Sequence, residues 1–413
     1  MMLRPLRAFR SVARLRRLEL NRSDRVLRSA ASVADLRRIA RRRLPGGVFD
    51  YVDGGAEDER SLRANSEAFA AIGFRPRVLA GVHAVNASTT LLGRPLSIPL
   101  VLAPTGFTRI VHPDGELAVA RAAAAAGVPY ALSTLGTRSI EQVAGTSTGR
   151  LWFQVYVWRD RGLVQQMVER AEAASYEAIV LTVDTPVLGR RERDIRRGFS
   201  IPPSLGIDTL LGGLVHPSWT WAFLASEPIR FENVIGSSVG DGSNPIALAE
   251  YTMRQFDSSL SWQDVEWLRS IWPRALVVKG IQTVEDAMIA ADAGVEAVAL
   301  SNHGGRQLDG APAPLALIAP VVDAVGDRVE VICDGGVRRG SDIVKAVALG
   351  ARACMSGRAY LYGLGAAGER GVDHVLGLLA ADLKRTMALV GASSVDELDR
   401  SLLQSIAVRA EVS

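Results

Sequence analysis

Short apolar runs recur along the chain from about residue 98, and an alanine-rich amphipathic stretch follows each of them. Most runs lack the alternation of polar and apolar positions that marks a half-buried strand, so they are typical of strands buried on both faces of a parallel sheet. Successive runs start 21 to 33 residues apart, except across one interval of 97 residues. The eight runs occupy 98–103, 129–132, 151–155, 178–183, 275–279, 296–300, 329–333 and 352–356.

Eight strand–helix units predict an α/β fold of the closed (β/α)8 TIM-barrel type. An open doubly wound sheet is the alternative, but no G-x-G-x-x-G follows the first run. Residues 33–45 have the pattern of a helix, and the glycine-punctuated residues 46–97 are predicted to form a cap over the mouth or the base of the barrel. We therefore expect an arginine-rich arm at 1–32, a barrel domain at 33–390 and a C-terminal tail at 391–413.

The long interval follows the fourth strand and contains an insertion at about 198–260. Residues 199–230 are mainly apolar, carry few charges and include Trp219 and Trp221. One interpretation is a lid or a subunit contact. The other is a segment that lies in a membrane interface, because Trp favours the headgroup level. No apolar stretch reaches 18 residues, so no transmembrane helix is predicted.

The net charge of +4 is unevenly distributed along the chain. Residues 1–43 hold fourteen Arg and three acidic residues, a net charge of +11, so the remaining residues sum to −7. This distribution argues against a general nucleic-acid-binding surface. The arm is either a solvated or subunit-clamping extension, or a contact to an anionic membrane, where each nearby Arg contributes about 1 kcal/mol.

The cellular location follows from two absences in the sequence. The arm lacks the apolar segment of a cleavable signal. The two cysteines, Cys333 and Cys354, lie in apolar runs and suggest no disulfide framework. We therefore expect a cytoplasmic protein that lies peripherally on the inner face of the cell membrane.

Hydrogen-bonding residues follow almost every predicted strand, at the end of the barrel where active sites lie. Convergent polar groups from many strands indicate a large polar ligand. Glycine and arginine follow both of the last two strands, in DGGVRRG (334–340) and SGR (356–358). A single pair of this kind is common in ordinary turns, but pairs in both loops indicate a phosphate-bearing cofactor. Lys279 also ends a strand, in a chain with only three lysines, and this favours a specific need for an ammonium group.

The glycine-rich loop SNHGGRQLDG (301–310) is the strongest candidate for catalysis. His303 suits proton abstraction near neutral pH, and Arg306 suits a bidentate grip on a carboxylate. A lone histidine is more often structural, but the position of this one after the sixth strand favours catalysis. Arg191 is a second carboxylate clamp or part of a solvated helix start, and Asp184 could hydrogen-bond the base or the substrate. No metal-ligand spacing is present, so no metal site is predicted.

Seven motifs, taken in order, resemble those of the FMN-dependent 2-hydroxy acid dehydrogenases and oxidases. The resemblance spans residues 33–390 and is greatest to bacterial membrane-associated L-lactate dehydrogenases, with mandelate dehydrogenase next. The motifs are FDYVDGGAEDE (49–59), APTG (103–106), WFQVYVWRDR (152–161), LTVDTPVLGRRERD (181–194), LVVKGIQTVEDA (276–287), SNHGGRQLDG (301–310) and DGGVRRGSDIVKAVALG (334–350).

The resemblance implies an FMN cofactor and the oxidation of an L-2-hydroxy acid, with L-lactate to pyruvate as the first choice. It implies a membrane quinone or a cytochrome as electron acceptor and a homo-oligomer, expected to be a tetramer. His303 would be the catalytic base with Asp184 as its partner. The implied substrate-binding residues are Tyr51, Tyr156, Arg191 and Arg306. The implied FMN contacts are Pro104, Thr105, Gly106, Ser133, Gln154, Thr182, Lys279, Ser301, Asp334, Gly335, Gly336, Val337, Arg338, Gly357 and Arg358.

Two positions bear on the choice within the family. Gly106 stands where many oxidases have Ala, which argues mildly against a simple oxidase. Leu135 helps to shape the substrate pocket and suits a short aliphatic side chain. The alternatives are an (S)-mandelate dehydrogenase, an oxygen-using oxidase, and a flavoprotein without turnover or with a maturase role.

Overall fold

A computed structural model describes residues 22–198, 212–234 and 254–405 of the chain. The helices in these ranges span Arg22–Arg28, Val33–Arg43, Gly46–Asp53, Arg60–Ala70, Gly115–Ala126, Ile140–Thr146, Arg161–Ala173, Glu192–Arg196, Pro217–Leu224, Trp262–Ile271, Val284–Asp292, Pro314–Val325, Gly340–Ala348, Arg358–Ala367 and Glu369–Val390. The strands are β1 (Ile72–Phe74), β2 (Thr89–Leu91), β3 (Arg94–Leu96), β4 (Leu100–Leu102), β5 (Tyr130–Ser133), β6 (Leu151–Val155), β7 (Ala178–Thr182), β8 (Ala275–Ile281), β9 (Ala297–Ser301), β10 (Glu330–Asp334), β11 (Ala353–Ser356) and β12 (Leu403–Ser405).

Strands β4 to β11 form a closed parallel barrel, and each of the eight predicted apolar runs supplies one of its strands. The predicted (β/α)8 barrel is therefore confirmed. The runs lack polar alternation because both faces are buried. In β7, for example, Ala178 and Val180 pack in the barrel interior, whereas Ile179 and Leu181 pack in the layer beneath the helices.

The hairpin β2–β3 closes the base of the barrel. Leu91 and Leu96 are buried in the same cluster as the side chains that fill the barrel interior. Arg150 donates from Nη2 to the carbonyl of Leu91 at 3.0 Å, and Arg352 donates from Nε to the carbonyl of Thr90 at 2.8 Å. Part of the predicted cap thus seals the amino end of the barrel, opposite the end where the predicted site residues lie.

The rest of the cap lies at the barrel mouth. The predicted helix at 33–45 begins at Val33, where the Ser32 hydroxyl accepts from the backbone N–H of Asp35, and it ends at Arg43. A second helix, Gly46–Asp53, follows directly after Pro45 and reaches the mouth. Pro45 explains the break, because the residue before a proline disfavours helical geometry.

The predicted insertion is described only in part, because 199–211 and 235–253 lie outside the described residues. Its central portion, 212–234, is held on the barrel by Arg109, which donates to the Glu227 carbonyl at 2.7 Å, and by Trp219, whose indole donates to the Ile110 carbonyl at 2.9 Å. In the described ranges, no helix has both the length and the apolar character that a bilayer crossing requires.

Both ends of the chain also fall partly outside the description. Residues 1–21 of the predicted basic arm and 406–413 of the predicted tail lie there. The described part of the tail returns to the cap, where β12 pairs antiparallel with β1.

Candidate active site

A cavity of about 470 Å³ opens at the carboxyl ends of the barrel strands, beneath the helix Gly46–Asp53. Every residue predicted for substrate or cofactor binding or for catalysis lines this cavity, except Asp184 and Ser301. Those two lie directly behind the wall, where each hydrogen-bonds a residue that does line it. The structure therefore brings the predicted site residues together at one place.

His303 and Asp184 form a hydrogen-bonded pair at the side of the cavity. The Nδ1 atom of His303 lies 2.8 Å from Oδ1 of Asp184, whose side chain is 1% exposed. Burial raises the pKa of Asp184, but the charges of His303 and Lys279 outweigh burial, so the net shift is downward. Asp184 is therefore a carboxylate that orients the histidine and leaves Nε2 as the ring nitrogen that can exchange a proton with a ligand.

The backbone at His303 is left-handed, with φ at +57°. Such a conformation costs a non-glycine residue of the order of 1–3 kcal/mol and persists only where neighbours hold it. Here the Ser301 hydroxyl accepts from the N–H of His303 at 2.9 Å. Asn302 and Asn65 exchange two side-chain hydrogen bonds, of 2.7 and 2.8 Å, which join the predicted catalytic loop, residues 301–310, to the helix Arg60–Ala70.

Two arginines converge on one aromatic ring in the cavity wall. The guanidinium carbons of Arg191 and Arg306 lie 5.3 and 5.2 Å from the ring centroid of Tyr51. Desolvation, with repulsion from Arg191 and Arg358, lowers the pKa of Arg306 to about 9. An anion between the two arginines would relieve this repulsion, so the arrangement suits a carboxylate ligand.

The end of the helix Gly46–Asp53 stabilises two of these cations. Arg306 donates from Nη1 to the carbonyls of Tyr51 and Gly54, at 2.7 and 3.1 Å. Arg358 donates to the carbonyls of Val52 and Gly54, at 3.0 and 2.7 Å. Helix C-termini carry partial negative charge and carbonyls without helical partners, so they suit cations. The guanidinium of Arg358, predicted to serve the cofactor, therefore also holds the cap in place.

Lys279, near the end of β8, places a buried ammonium group in the cavity wall. Its Nζ lies 2.9 Å from Oδ2 of Asp334 and 3.1 Å from the Ser301 hydroxyl. Burial lowers the pKa of Lys279, but Asp334 and Asp184 outweigh burial, so the net shift is upward and the ammonium persists. Ser301 donates to Asp334 at 2.7 Å, which links all three groups.

Two buried polar atoms in the cavity wall have no hydrogen-bond partner among the described residues: Nε2 of Gln154 and the hydroxyl of Ser356. Ser133 donates to Oε1 of Gln154 at 3.0 Å, so the amide NH₂ of Gln154 is the group left over. An unmet buried donor costs about 1–3 kcal/mol. These atoms therefore favour a polar ligand such as a flavin ring, which carries acceptors along its edge.

The loops after β10 and β11 fit the phosphate end of such a ligand. Gly336 has φ at +85°, and a Cβ there would lie 2.2 Å from the backbone oxygen of Asn65, so only glycine fits. Gly357 is the residue before the helix Arg358–Ala367, whose N-terminus faces the cavity. Backbone N–H groups at a helix N-terminus, with Arg338 beside them, suit a phosphate.

Several cavity residues were missed by sequence reasoning. Asp194, 3.1 Å from Nε of Arg191, and Phe256, whose ring packs 5.0 Å from that of Tyr156, both line the cavity. Gln307 also lines it and donates to the carbonyls of Asp184 and Val187, at 3.1 and 2.9 Å. Gln307 follows Arg306 in the predicted catalytic motif, which is a usable signal, whereas Phe256 lies within the predicted insertion, near its C-terminal end, and has none.

Comparisons with known proteins identify the family of this chain. Residues 40–405 match the model of the FMN-dependent dehydrogenase family. The chain is 47% identical over 383 residues to a putative L-lactate dehydrogenase of Mycobacterium tuberculosis, with 92% of this chain and 91% of the relative covered. It is 43% identical over 378 residues to glycolate oxidase 1 of Oryza sativa subsp. indica, with 92% and 96% covered.

A solved structure is also similar over nearly the whole chain. The crystal structure of (S)-mandelate dehydrogenase, described as a monotopic membrane protein, matches with a TM-score of 0.88 and 42% identity and covers 92% of this chain and 100% of its own. The family match and the cavity together lead to one conclusion: the chain belongs to the FMN-dependent dehydrogenases and is an oxidoreductase that acts on a 2-hydroxy acid with FMN as its cofactor.

Proposed function

We propose that this enzyme oxidises L-lactate to pyruvate and passes the electrons to a membrane quinone or a cytochrome. The observation that carries the proposal is the convergence of Arg191 and Arg306 on Tyr51, in the same cavity as His303. A carboxylate between the arginines would present the carbon next to it, with its hydroxyl, toward the histidine. Leu135 and Leu188 also line the cavity, and they suit the methyl group of lactate.

Each residue has a defined task in this proposal. Nε2 of His303 accepts the proton of the 2-hydroxy acid, and Asp184 holds the ring and stabilises the positive charge that develops on it. Arg191, Arg306 and Tyr51 hold the carboxylate. FMN, when bound, would supply the acceptor for the two electrons and for the second proton that the oxidation releases. The ammonium of Lys279 supplies a fixed positive charge, which would favour negative charge on the cofactor.

Anaerobic flavin reduction tests the substrate. The purified holoenzyme is mixed with L-lactate, (S)-mandelate or glycolate, and the long-wavelength absorbance of the flavin is followed, with D-lactate as the control for handedness. We expect L-lactate to reduce the flavin fastest. Faster reduction by mandelate or glycolate would reject lactate, and no reduction by any of them would reject the proposed activity itself.

The acceptor is tested separately. A Cβ at Gly106 would lie 2.9 Å from Cβ of Leu135, so an alanine would fit at this position only if Leu135 moved. The proposal therefore keeps a dehydrogenase assignment, with an oxygen-using oxidase as the second candidate. Rates of quinone reduction and of peroxide formation in air are compared in one preparation. Peroxide formation at a rate comparable to quinone reduction would decide for the oxidase.

Membrane attachment is part of the same proposal, because a membrane quinone must reach the enzyme. The segment 212–224 exposes Leu214, Val215, Trp221 and Leu224, each more than 70% accessible. Such a patch is unfavourable in water but suits the boundary of a bilayer. We infer a peripheral position on the inner face of the cell membrane, with the basic arm adding attraction to anionic lipids, and a homotetrameric assembly that light scattering would test.

A further inference from the structure

Strand β8 carries a local irregularity at Gly280, directly after the buried Lys279. Lys279 pairs with Ala299 of β9, but Ile281 pairs with the next residue, Leu300, so Gly280 is an extra residue in β8. Its φ is +111°. An inserted residue of this kind bends a strand and re-aims the side chains around it, and such bulges are common beside active sites.

The Asp184 side chain lies directly against this glycine. A Cβ on residue 280 would lie 2.8 Å from Cβ of Asp184, and 2.9 Å from both its Cγ and its backbone nitrogen. Carbon atoms in contact are normally about 3.5–4.0 Å apart. Any other residue at position 280 would therefore overlap the carboxylate arm of Asp184.

Asp184 has little freedom to move away. Its Oδ1 is held at 2.8 Å by Nδ1 of His303, and Gln307 donates to its backbone carbonyl at 3.1 Å. The preceding residue, Val183, donates its N–H to the carbonyl of Lys279 at 2.9 Å. Asp184 is thus fixed between β8 and the predicted catalytic loop. Its side chain occupies the space that a side chain on residue 280 would need.

We propose that Gly280 is a positioning residue for the proton transfer: its missing side chain allows Asp184 to reach and orient His303. This inference rests on the proposed function, in which His303 accepts the substrate proton. Gly280 itself is not among the residues that line the cavity. Its effect on the reaction passes through Asp184 alone.

The variant Gly280→Ala should push Asp184 away from His303. We expect the rate of flavin reduction at saturating L-lactate to fall roughly 10- to 100-fold, the loss typical of a catalytic group displaced by about 1 Å. We expect the apparent affinity for lactate to stay within a few-fold.

Gly294→Ala is the matched control. Gly294 also has positive φ, +72°, but a Cβ there would have nothing within 4 Å. The control therefore introduces an alanine at a strained backbone position without the contact to Asp184. Wild-type reduction rates in Gly294→Ala would assign the loss in Gly280→Ala to that contact. Equal losses in the two variants would overturn the proposal.

A double-variant cycle with Asp184→Gly identifies the route of the effect. Asp184→Gly removes the two side-chain carbons that the new Cβ would meet and leaves only the contact with the backbone nitrogen of residue 184. Adding Gly280→Ala to it should therefore cost less than a further two- to three-fold in rate. A full additional loss would show that Gly280 acts through Lys279 or the fold, and the proposal would be wrong. If Asp184→Gly alone reduces flavin at the wild-type rate, the proposed role of Asp184 fails instead.

Poor folding of Gly280→Ala would still test the idea. The second substitution, Asp184→Gly, should then restore folded protein with bound FMN, measured by thermal unfolding and by the flavin-to-protein ratio. A double variant that also fails to fold would show that the contact with the Asp184 side chain is not what requires a glycine at position 280.

Discussion

Replacing Arg306 with lysine keeps the positive charge but should impair the enzyme strongly. In the structure Arg306 donates from Nη1 to the carbonyls of Tyr51 and Gly54, and its other N–H groups have no acceptor among the described residues, so they can bind a ligand in the cavity. Lysine has a single nitrogen at the end of a flexible chain, so it cannot hold the helix end and grip a carboxylate in the same geometry. Losing one charge-assisted hydrogen bond, about 1.5–3 kcal/mol, corresponds to a decrease of about 10- to 150-fold in kcat/KM.

The assay is anaerobic stopped-flow reduction of the bound flavin by L-lactate, which isolates the reaction from the electron acceptor. Arg196→Lys is the control, since Arg196 lies on the same segment as Arg191 but is 71% exposed and pairs only with Glu192 among the described acidic residues. Such surface pairs contribute about 0–1 kcal/mol. A kcat/KM for Arg306→Lys within about three-fold of the control would refute the argument that the planar guanidinium is needed.

Three further predictions concern other parts of the molecule. His303→Ala should keep FMN bound but lower the rate of flavin reduction about 10²- to 10⁴-fold, and a variant with more than about a tenth of the wild-type rate would exclude the role of base. Asp53 is buried among Arg37, Arg193 and Tyr362, and although burial opposes it, these partners lower its pKa to about 2. The folded-state pKa lies below the unfolded one, so Asp53 stabilises the fold above about pH 4 and loses this effect as the pH falls toward 2. Asp53→Asn should remove about 1 kcal/mol of pH-dependent stability between pH 5 and pH 3, measured by urea unfolding at these two pH values, and an unchanged pH dependence would contradict it. Replacing residues 199–230 with a short polar loop should release the enzyme from anionic vesicles in a co-sedimentation assay, while lactate still reduces its flavin. If this variant still pellets with the vesicles at high salt, the segment is better explained as a lid or a subunit contact.

The barrel and the location of its site could be predicted because both depend on local patterns. A strand buried on both faces must be apolar throughout, so the eight apolar runs in the sequence predicted the eight strands of the barrel. The polar residues after those runs meet at one end because parallel strands share one direction. His303 and Arg306 could be recognised for the same reason, since each follows β9 within a few residues.

The remaining features depend on approaches between distant segments, which leave no local pattern. Asn65 supports the catalytic loop through Asn302, yet nothing around Asn65 in the sequence distinguishes it from a surface polar residue. The role of Gly280 is visible only once Asp184 lies against it. The sequence predicts the helix Gly46–Asp53 only as part of a cap, and it leaves open whether this cap lies at the mouth or at the base of the barrel. In the structure one part of the cap lies at each end.

The bonds between that helix and the two arginines also set an order of events during synthesis. Tyr51 and Arg306 are 255 positions apart, and Val52 and Arg358 are 306 apart. The helix leaves the ribosome first, but the side chains that bind its carbonyl end arrive only with the last third of the barrel. Because such distant contacts form late, the mouth of the cavity closes when nearly the whole chain is available. Yellow colour from retained flavin is therefore a natural reporter of completed folding, and chains that stop before Arg358 should remain colourless even where their first strands have formed.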